Sequence, residues 1–214
     1  FGYGDSAYTN VITCLNENQC LTLPSINDPA VDPWFNQWLT DDEIHPVKQL
    51  SIDDLSGSEG WWATIGFHPI YDCAWPCQWA SMNYDGTQYN WDLHMEVDRG
   101  VNGGLLAIHE IWPFPAQSGT QFWLNHTDLG MLHYEHWTLL DKADDGSWVA
   151  LYYRGGTGTW KYSGGIVFSR ARELTAAQRA TVAATYQSAV GWDVDAQGCT
   201  FDNSQCTTPA DVTV

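Results

Sequence analysis

Cysteine is the residue type whose spacing says most about chemistry in this sequence. The six cysteines fall into three close pairs along the chain, which are Cys14 with Cys20, Cys73 with Cys77, and Cys199 with Cys206. An even number in loop-like surroundings predicts disulfides and an oxidising compartment. The alternative is a zinc site, because the spacing of Cys73 and Cys77 is one that zinc ligands use. No histidine lies at zinc-finger spacing from these pairs, so disulfides are favoured, and the spacing leaves their pairing open.

Histidines and tryptophans supply further candidate groups. The seven histidines titrate near neutral pH and could sense acidification. His133 and His136 should point to opposite faces of a strand, so they are poor partners for one metal ion, and we expect no metal site. The sequence has no Gly-rich phosphate loop and no Ser-His-Asp order. The thirteen tryptophans could stack on sugars, but filling and lining a core is the favoured interpretation.

Composition limits the classes of partner. The 214 residues are 44% apolar and 14% aromatic, enough for one domain with a substantial core. Twenty-six acidic residues against eight basic ones give a net charge of −18, which excludes a general nucleic-acid binder and disfavours an anionic membrane surface. The sequence has no stretch of about 18 continuous apolar residues, so no transmembrane helix is predicted. The first residues, FGYGDSAYTN, lack a basic-then-apolar segment, so we expect no targeting peptide.

The pattern along the chain predicts an all-β fold with one helix. Residues 1–50 read as a loop-rich N-terminal arm, residues 51–206 as a barrel with its helix, and residues 207–214 as a tail. Short aromatic and β-branched runs broken by turn residues predict eight antiparallel strands, at 61–67, 78–84, 88–97, 104–111, 121–124, 129–141, 148–154 and 165–170. Thr175 and Gln178 form a capping box before an Ala-rich run, and Gly191 supplies the stop of a helix at 175–190. Eight such strands predict an up-and-down barrel, whose closure removes exposed edges.

The order of eight strands followed by a C-terminal helix resembles that of lipocalins. Gly60-Trp61-Trp62 is similar to the Gly-x-Trp of that family's first strand, and Arg170 ends the last strand before the helix. The resemblance implies that Arg170 stacks on Trp62 and bonds nearby backbone to close the barrel floor.

A more specific resemblance is to the lipocalin domain of violaxanthin de-epoxidase. It covers roughly residues 50–206 and rests on the late Cys199 and on three segments, GFHPIYDCAWPCQW, NHTDLGMLHYEHW and LYYRGGTGTWKYSGGIVFSR. That family acts on xanthophylls in the thylakoid lumen of chloroplasts and uses ascorbate to remove epoxide groups. The resemblance therefore implies a lumenal protein with a xanthophyll partner, and ascorbate as cofactor if the chain is catalytic.

The resemblance also implies which residues do chemistry. The family's catalytic carboxylate falls on Glu135 and its catalytic tyrosine on Tyr153. A Glu135 protonated in an apolar pocket would be the acid, and Tyr153 the positioning donor. We expect Trp112, Trp137 and Phe168 to contact the substrate. The alternative for the carboxylate is a surface position beside a salt-bridging histidine, because the motif is one residue shorter than usual and such a change exchanges strand faces.

Acid sensing is the next property that the resemblance implies. His126 and Asp54 match family positions linked to activation as the lumen acidifies. Pro76 and Lys161 stand where the family has further aspartates, and neither can be protonated into an active state. We therefore expect the acid switch to be weakened or rebuilt.

The family pattern further implies that Cys77 pairs with Cys199, which leaves Cys14–Cys20 and Cys73–Cys206 as the remaining disulfides. The Cys-rich domain and the Glu-rich helix of the family enzyme have no counterpart in this sequence, so we expect weak or altered activity. The leading interpretation is a xanthophyll-binding protein acting on the epoxidised end ring, by reduction or by rearrangement. The alternatives are a non-catalytic subunit of a photosystem or antenna complex and a carrier for another hydrophobe.

Overall fold

The computed structural model describes residues 37–206 except 58, 74, 76, 99–104, 116–118, 129–130, 159 and 205. Within them the eight predicted strands are present, together with a short ninth strand and two helices. The strands are β1 Trp61–Gly66, β2 Cys77–Tyr84, β3 Gln88–Asp98, β4 Leu105–Pro115, β5 Gln121–Asp128, β6 Met131–Lys142, β7 Trp148–Thr157, β8 Trp160–Ser169 and β9 Cys199–Thr200. The helices are α1 Ala176–Val190 and α2 Val194–Gln197, and single 3₁₀ turns lie at Asp41–Glu43 and Ile52–Leu55.

The strands form one antiparallel meander that is nearly closed. Their order is β4-β3-β2-β1-β8-β7-β6-β5, and the short β9 pairs with Ile65 and Gly66 at the end of β1. The end strands β4 and β5 lie beside each other, and Phe114 of β4 contacts Phe122 of β5 with ring centroids 5.6 Å apart. A hairpin turn at Asp85 and Gly86 joins β2 to β3, and Gly86 takes a φ of 100°, which glycine allows without strain. The prediction of an eight-stranded antiparallel barrel with a C-terminal helix is confirmed.

Side chains alternate between the barrel interior and its outside, as strand geometry requires. In β6, Leu132 and Tyr134 are 67% and 43% exposed, whereas His133, Glu135 and Trp137 are all less than 10% exposed. Glu135 therefore points into the barrel, and the alternative of a surface carboxylate is wrong.

Helix α1 covers one outer face of the barrel and builds a second core there. Thr175 caps its first turn, accepting the N–H of Gln178, and Gly191 ends it in the left-handed conformation. Val182, Tyr186 and Ala189 are buried against outward side chains of the sheet. The Tyr186 hydroxyl donates to the carbonyls of Leu151 and Ile166, at 2.7 and 3.1 Å. In the described part of the chain, no helix has the length and apolar character needed to span a bilayer.

Two disulfides tie the segment after α1 to the region between β1 and β2. Their pairing is Cys73–Cys199 and Cys77–Cys206, so the expected Cys77–Cys199 and Cys73–Cys206 pairs are wrong. The reason is the pairing of β9 with β1, which places Cys199 beside Gly66 at the start of the loop that carries Cys73. Closing loops of 126 and 129 residues stabilises the fold by about 4–5 kcal/mol each in the chain-entropy account. The predicted Cys14–Cys20 pair lies outside the described residues.

Two arginines close the base of the barrel on neighbouring tryptophans. Arg170 lies over Trp61, with its guanidinium carbon 3.4 Å from the ring centroid, and donates to the Glu59 and Gly60 carbonyls. Trp62 instead lies under Arg172, at 4.2 Å. The expected stacking of Arg170 on Trp62 is therefore wrong by one residue, because successive strand residues point to opposite faces.

Residues 37–41 cross the outside of β7 and β8. The Trp38 indole N–H donates to the Tyr162 carbonyl at 2.9 Å, and the Leu39 N–H donates to the Tyr152 hydroxyl at 3.0 Å. Arg154 donates to the Leu39 carbonyl and to the Asp41 carboxylate, both at 2.7 Å. This described end of the N-terminal arm is thus fixed to the barrel wall.

Candidate functional site

The barrel encloses a cavity of about 60 Å³ with one polar and one aromatic wall. The polar wall comes from the β1–β2 loop and from strands β5 to β8, and consists of Asp72, His126, His133, Glu135, Tyr153 and Tyr162. The aromatic wall includes all three predicted substrate contacts, Trp112, Trp137 and Phe168, together with Trp91. The fold therefore brings the two predicted catalytic residues, Glu135 and Tyr153, into one pocket.

The carboxyl group of Asp72, in the β1–β2 loop, is hydrogen-bonded to Tyr153 in the polar wall. The Tyr153 hydroxyl donates to Asp72 Oδ1 at 2.7 Å, and Oδ2 accepts the N–H groups of Phe67 and His68 at 3.0 and 2.7 Å. Burial raises the pKa of Asp72 to about 7, and these donors together with Tyr153 offset the burial only in part. Asp72 is therefore the carboxyl of the pocket that is protonated in mildly acidic solution.

Sequence analysis did not identify Asp72. Its environment depends on the turn fixed by the neighbouring Cys73–Cys199 disulfide and on a tyrosine 81 residues away. The available signal was an aspartate between Tyr71 and a paired cysteine, in the loop that follows the first strand.

Glycines on β7 and β8 make room for the two tyrosines of the wall. A Cβ atom on Gly164 would lie 2.3 Å from the Tyr153 hydroxyl oxygen, and one on Gly155 would lie 2.8 Å from that of Tyr162. Both distances are too short for a real contact, so a side chain at either position would displace a tyrosine. The Gly-Gly pairs of these strands thus position the tyrosine hydroxyls.

Glu135 has the opposite electrostatic environment from Asp72. Burial disfavours its charge, but the nearby His126, whose Nε2 is 3.6 Å from Oε1, and the donors Trp137 and Tyr162 outweigh burial and lower the pKa of Glu135. Trp137 Nε1 donates to Oε2 at 2.6 Å and the Tyr162 hydroxyl donates to Oε1 at 2.8 Å. The expectation of a protonated Glu135 acid is therefore wrong, because these partners stabilise the carboxylate.

Histidines form a column along one side of the pocket. The His126 ring stacks between Trp112 and His133, with centroids 3.9 and 5.1 Å apart. His133 Nδ1 lies 3.1 Å from the Tyr162 hydroxyl, which links the column to Glu135. His68 differs, because its Nδ1 accepts the N–H groups that follow it and burial lowers its pKa to about 3. His68 is thus neutral, and His126, a predicted pH sensor, contacts Glu135, the predicted catalytic carboxylate.

Asp54, the other predicted pH sensor, does not line the pocket. It accepts the Ser51 N–H at 2.8 Å and pairs with Lys142 at 3.0 Å. Although burial opposes its charge, Ser51 and Lys142 lower its pKa, so it stays ionised in mild acid and is a poor acid sensor. Lys161 lies outside the barrel, with its ammonium 4.7 Å from the Trp38 ring centroid, and Pro76 lies outside the described residues.

Two carboxyls whose pKa values move apart can serve as an acid and a base in one site. Here Asp72 holds a proton near neutral pH and Glu135 stays ionised. Tyr153 contacts Asp72 directly, and its own pKa is raised well above 10 by burial, so its hydroxyl remains protonated. The pocket can therefore donate a proton to a buried oxygen while presenting a carboxylate to developing positive charge.

The fold and the enclosed pocket define a lipocalin-type barrel. The profile of the VDE lipocalin domain family matches residues 2–203, and the chain belongs to that family. This match covers the three quoted segments and confirms the resemblance to the violaxanthin de-epoxidase lipocalin domain. No curated protein matches the sequence significantly.

Solved structures support the same fold at low sequence identity. Insecticyanin from the tobacco hornworm Manduca sexta has a TM-score of 0.57 and 10% identity, covering 83% of this chain and 90% of that one. Lobster apocrustacyanin A1 has a TM-score of 0.50 and 14% identity, covering 75% and 83% of the two chains. The siderocalin Ex-FABP, described as having dual ligand specificities, has a TM-score of 0.50 and 10% identity over 75% and 98%. At these identities the similarity concerns the fold alone.

Proposed function

We propose that this protein binds the end ring of a xanthophyll in its barrel pocket and opens an epoxide on that ring by acid catalysis. The observation that carries the proposal is the buried Asp72–Tyr153 pair in one cavity with the ionised Glu135. Membership of the VDE lipocalin domain family supports the choice of substrate class.

The first step is protonation of the epoxide oxygen. As Asp72 takes up a proton below pH of about 7, its hydroxyl can donate to the Tyr153 oxygen, which frees the Tyr153 proton for the substrate. The protonated C–O bond then breaks, its electron pair goes to oxygen, and a hydroxyl and a ring carbocation result. Tyr153 is in this scheme the group that touches substrate, and Asp72 supplies its proton.

The second step uses the negative charge of Glu135. Its carboxylate stabilises the carbocation and accepts a proton from the adjacent carbon, so that a carbon–carbon double bond forms. Trp137 and Tyr162 occupy one acceptor direction on each oxygen, and a carboxylate offers further ones. The product is an isomer of the substrate, and no reductant is consumed.

Charge in the pocket favours this rearrangement over reduction by ascorbate. Among the described residues that line the cavity there is no arginine or lysine, whereas there are two carboxyls. An ascorbate anion would therefore lack a cationic partner and face Glu135. Ascorbate-dependent de-epoxidation, which the family resemblance implies, is the competing outcome of the assay below.

A substrate ring has to widen the cavity. Its volume of about 60 Å³ is less than half of the roughly 150 Å³ at which an engineered cavity holds benzene. Trp91, Trp137 and Phe168 fill the interior with ring centroids 5.0–5.7 Å apart and would have to shift on binding. Weak turnover is consistent with this cost.

We propose the thylakoid lumen as the compartment, since its acidification would protonate Asp72.

The test is turnover of violaxanthin by the purified chain at pH 5, with products separated by chromatography. Glu135→Gln should nearly abolish turnover by removing the base, and Tyr153→Phe should reduce it about ten- to a thousandfold. Tyr152→Phe is the matched control, because the Tyr152 hydroxyl lies outside the barrel and accepts the Leu39 N–H. Equal turnover by Tyr153→Phe and Tyr152→Phe would contradict the proposed acid.

A second candidate function is a non-catalytic lumenal subunit of a photosystem or antenna complex. It is favoured by apolar residues on the outer face of the paired strands β5 and β6, where Trp123, Leu132 and Tyr134 are 43–67% exposed. Contiguous exposed apolar surface is typical of protein contacts. Co-purification with a pigment–protein complex, and loss of that association in Trp123→Ser, would support this function; migration of the free chain would exclude it.

A further inference from the structure

Two histidines and an aspartate meet on the outer surface of the β3–β4 hairpin, away from the pocket. His94 of β3 and His109 of β4 are direct cross-strand partners, and Asp92 lies two residues before His94 on the same face. His109 Nε2 is 2.6 Å and His94 Nε2 3.1 Å from the same oxygen, Asp92 Oδ1. The side chains thus converge on one point although the two histidines are fifteen residues apart in sequence.

We propose that Asp92, His94 and His109 form a binding site for a divalent transition-metal ion, with Zn²⁺ as the representative ion. Their ligand atoms all lie within 4.8 Å of one another. A tetrahedral zinc ion with bonds of about 2.0–2.1 Å needs neighbouring ligand atoms about 3.3 Å apart. The two histidine nitrogens already lie 2.6 and 3.1 Å from the carboxylate oxygen, so binding would shift these atoms by only a short distance.

The ring geometry matches a shared ligand. The two imidazoles stack with centroids 4.2 Å apart and planes at 12°, so both Nε2 atoms face the carboxylate side by side. Trp79 packs on His94 at 5.6 Å, and the His94 side chain is only 25% exposed. One ligand is therefore held by packing before any ion binds, which reduces the ordering cost of binding.

Access and charge favour a cation at this point. The His109 side chain is 52% exposed, which leaves an open approach and a free coordination position for water. Two neutral imidazoles and one carboxylate leave a bound divalent ion with one net positive charge, in a protein whose net charge is −18. Two imidazole nitrogens with one carboxylate form a donor set that favours zinc and similar transition-metal ions over calcium or magnesium.

The structural consequence is a link between two strands of the pocket wall. In the described hydrogen-bond order of the sheet, β4 is an end strand and its ladder partner is β3. The inner faces of the same strands carry Trp91 and Trp112, which line the cavity. A bound ion would fasten β4 to β3 from outside, independently of whether the pocket is catalytic.

The experiment is calorimetric titration of Zn²⁺ into the chain, prepared without a histidine tag and freed of metal by a chelator that is then removed. The expected result is one ion per chain for the wild type, and affinity at least about tenfold weaker in His109→Gln and in Asp92→Asn. His45→Gln, which removes an exposed histidine elsewhere, should bind as the wild type does. Zinc should also raise the melting temperature of the wild type and not that of His109→Gln.

Absence of zinc binding by the wild type would overturn the proposal, and so would unchanged affinity in His109→Gln, which would locate the ion at other residues. Because His109 is exposed, its replacement should leave the fold intact, and circular dichroism checks this directly. If Asp92→Asn fails to fold, His109→Gln alone decides the outcome.

Discussion

Replacing Asp72 by asparagine should remove a pH dependence of stability that this residue imposes. In the folded protein its pKa is raised from 3.8 to about 7 by burial, a difference of about three units. At about 1.4 kcal/mol per unit, this corresponds to about 4 kcal/mol. Because the folded-state pKa is raised, the stabilisation is fully present below pH of about 4 and is lost as pH rises through about 7. Asparagine mimics the protonated form and can still accept the Phe67 and His68 N–H groups.

The assay is urea unfolding, with disulfides intact, at several pH values between 4 and 8. The wild type should lose about 1.4 kcal/mol per pH unit relative to Asp72→Asn across most of this range, so that the variant is the more stable protein at pH 8. Glu135 does not interfere, because both proteins contain it and its lowered pKa changes stability only as pH falls through its ordinary value of 4.5. Asp42→Asn, at an exposed position, should keep the wild-type dependence. If the free energy of unfolding changed with pH in the same way in the wild type and in Asp72→Asn, the assignment of Asp72 as the titrating acid would be refuted.

Three further predictions concern the scaffold of the site. Joint replacement of Cys73 and Cys199 by alanine should lower the free energy of unfolding by about 4–5 kcal/mol, and a non-reducing peptide map should show these two linked. Arg170→Ala should cost about 1–3 kcal/mol in thermal or urea unfolding, and a double-mutant cycle should couple it to Trp61; an unchanged melting midpoint would contradict the stacking. Gly164→Ala should displace the tyrosine hydroxyl that it contacts and reduce violaxanthin turnover at least as much as loss of that hydroxyl; full turnover would show that the wall has room.

Local patterns predicted the elements of this fold well. Strand β6 could be found from its alternating sequence, and α1 from the Thr175 capping box and Gly191, because these signals act over a few residues. The strands β5 and β8 run further than predicted, since glycine and asparagine in their sequences resemble turns. The lipocalin-type barrel followed from the number and order of the elements.

Features that depend on register and long-range contact could not be read in the same way. The sequence left open whether Glu135 faces the pocket or the surface, and its charge state depends on His126 and Tyr162, which other strands bring to it. Asp72 acquires its raised pKa only in the folded barrel. Arg170 stacks on Trp61 and not on Trp62, because the two tryptophans point to opposite faces of the strand. The disulfide pairing was wrong for the same reason, because the short strand β9 decides which cysteines meet.

The proposed metal site on the outer surface of β3 and β4 shows most directly what the sequence alone could not predict. The spacing of His94 and His109 has no meaning in sequence, and it becomes a pair of ligands only when the β3–β4 register places the two residues opposite each other. Sequence analysis therefore predicted no metal site, whereas the alternation Asp92-x-His94 was the one local hint that two polar side chains share a strand face.

The central claim is that the Asp72–Tyr153 pair delivers a proton to a bound epoxide while Glu135 remains ionised. The most direct measurement is the mass and yield of carotenoid products formed from violaxanthin without ascorbate, at pH 5 and pH 8, by the wild type and by Asp72→Asn. The account predicts a product of unchanged mass from the wild type, formed faster at pH 5, and a strong loss in Asp72→Asn. No product at either pH, or a product lacking an oxygen that forms only when ascorbate is added, would contradict it.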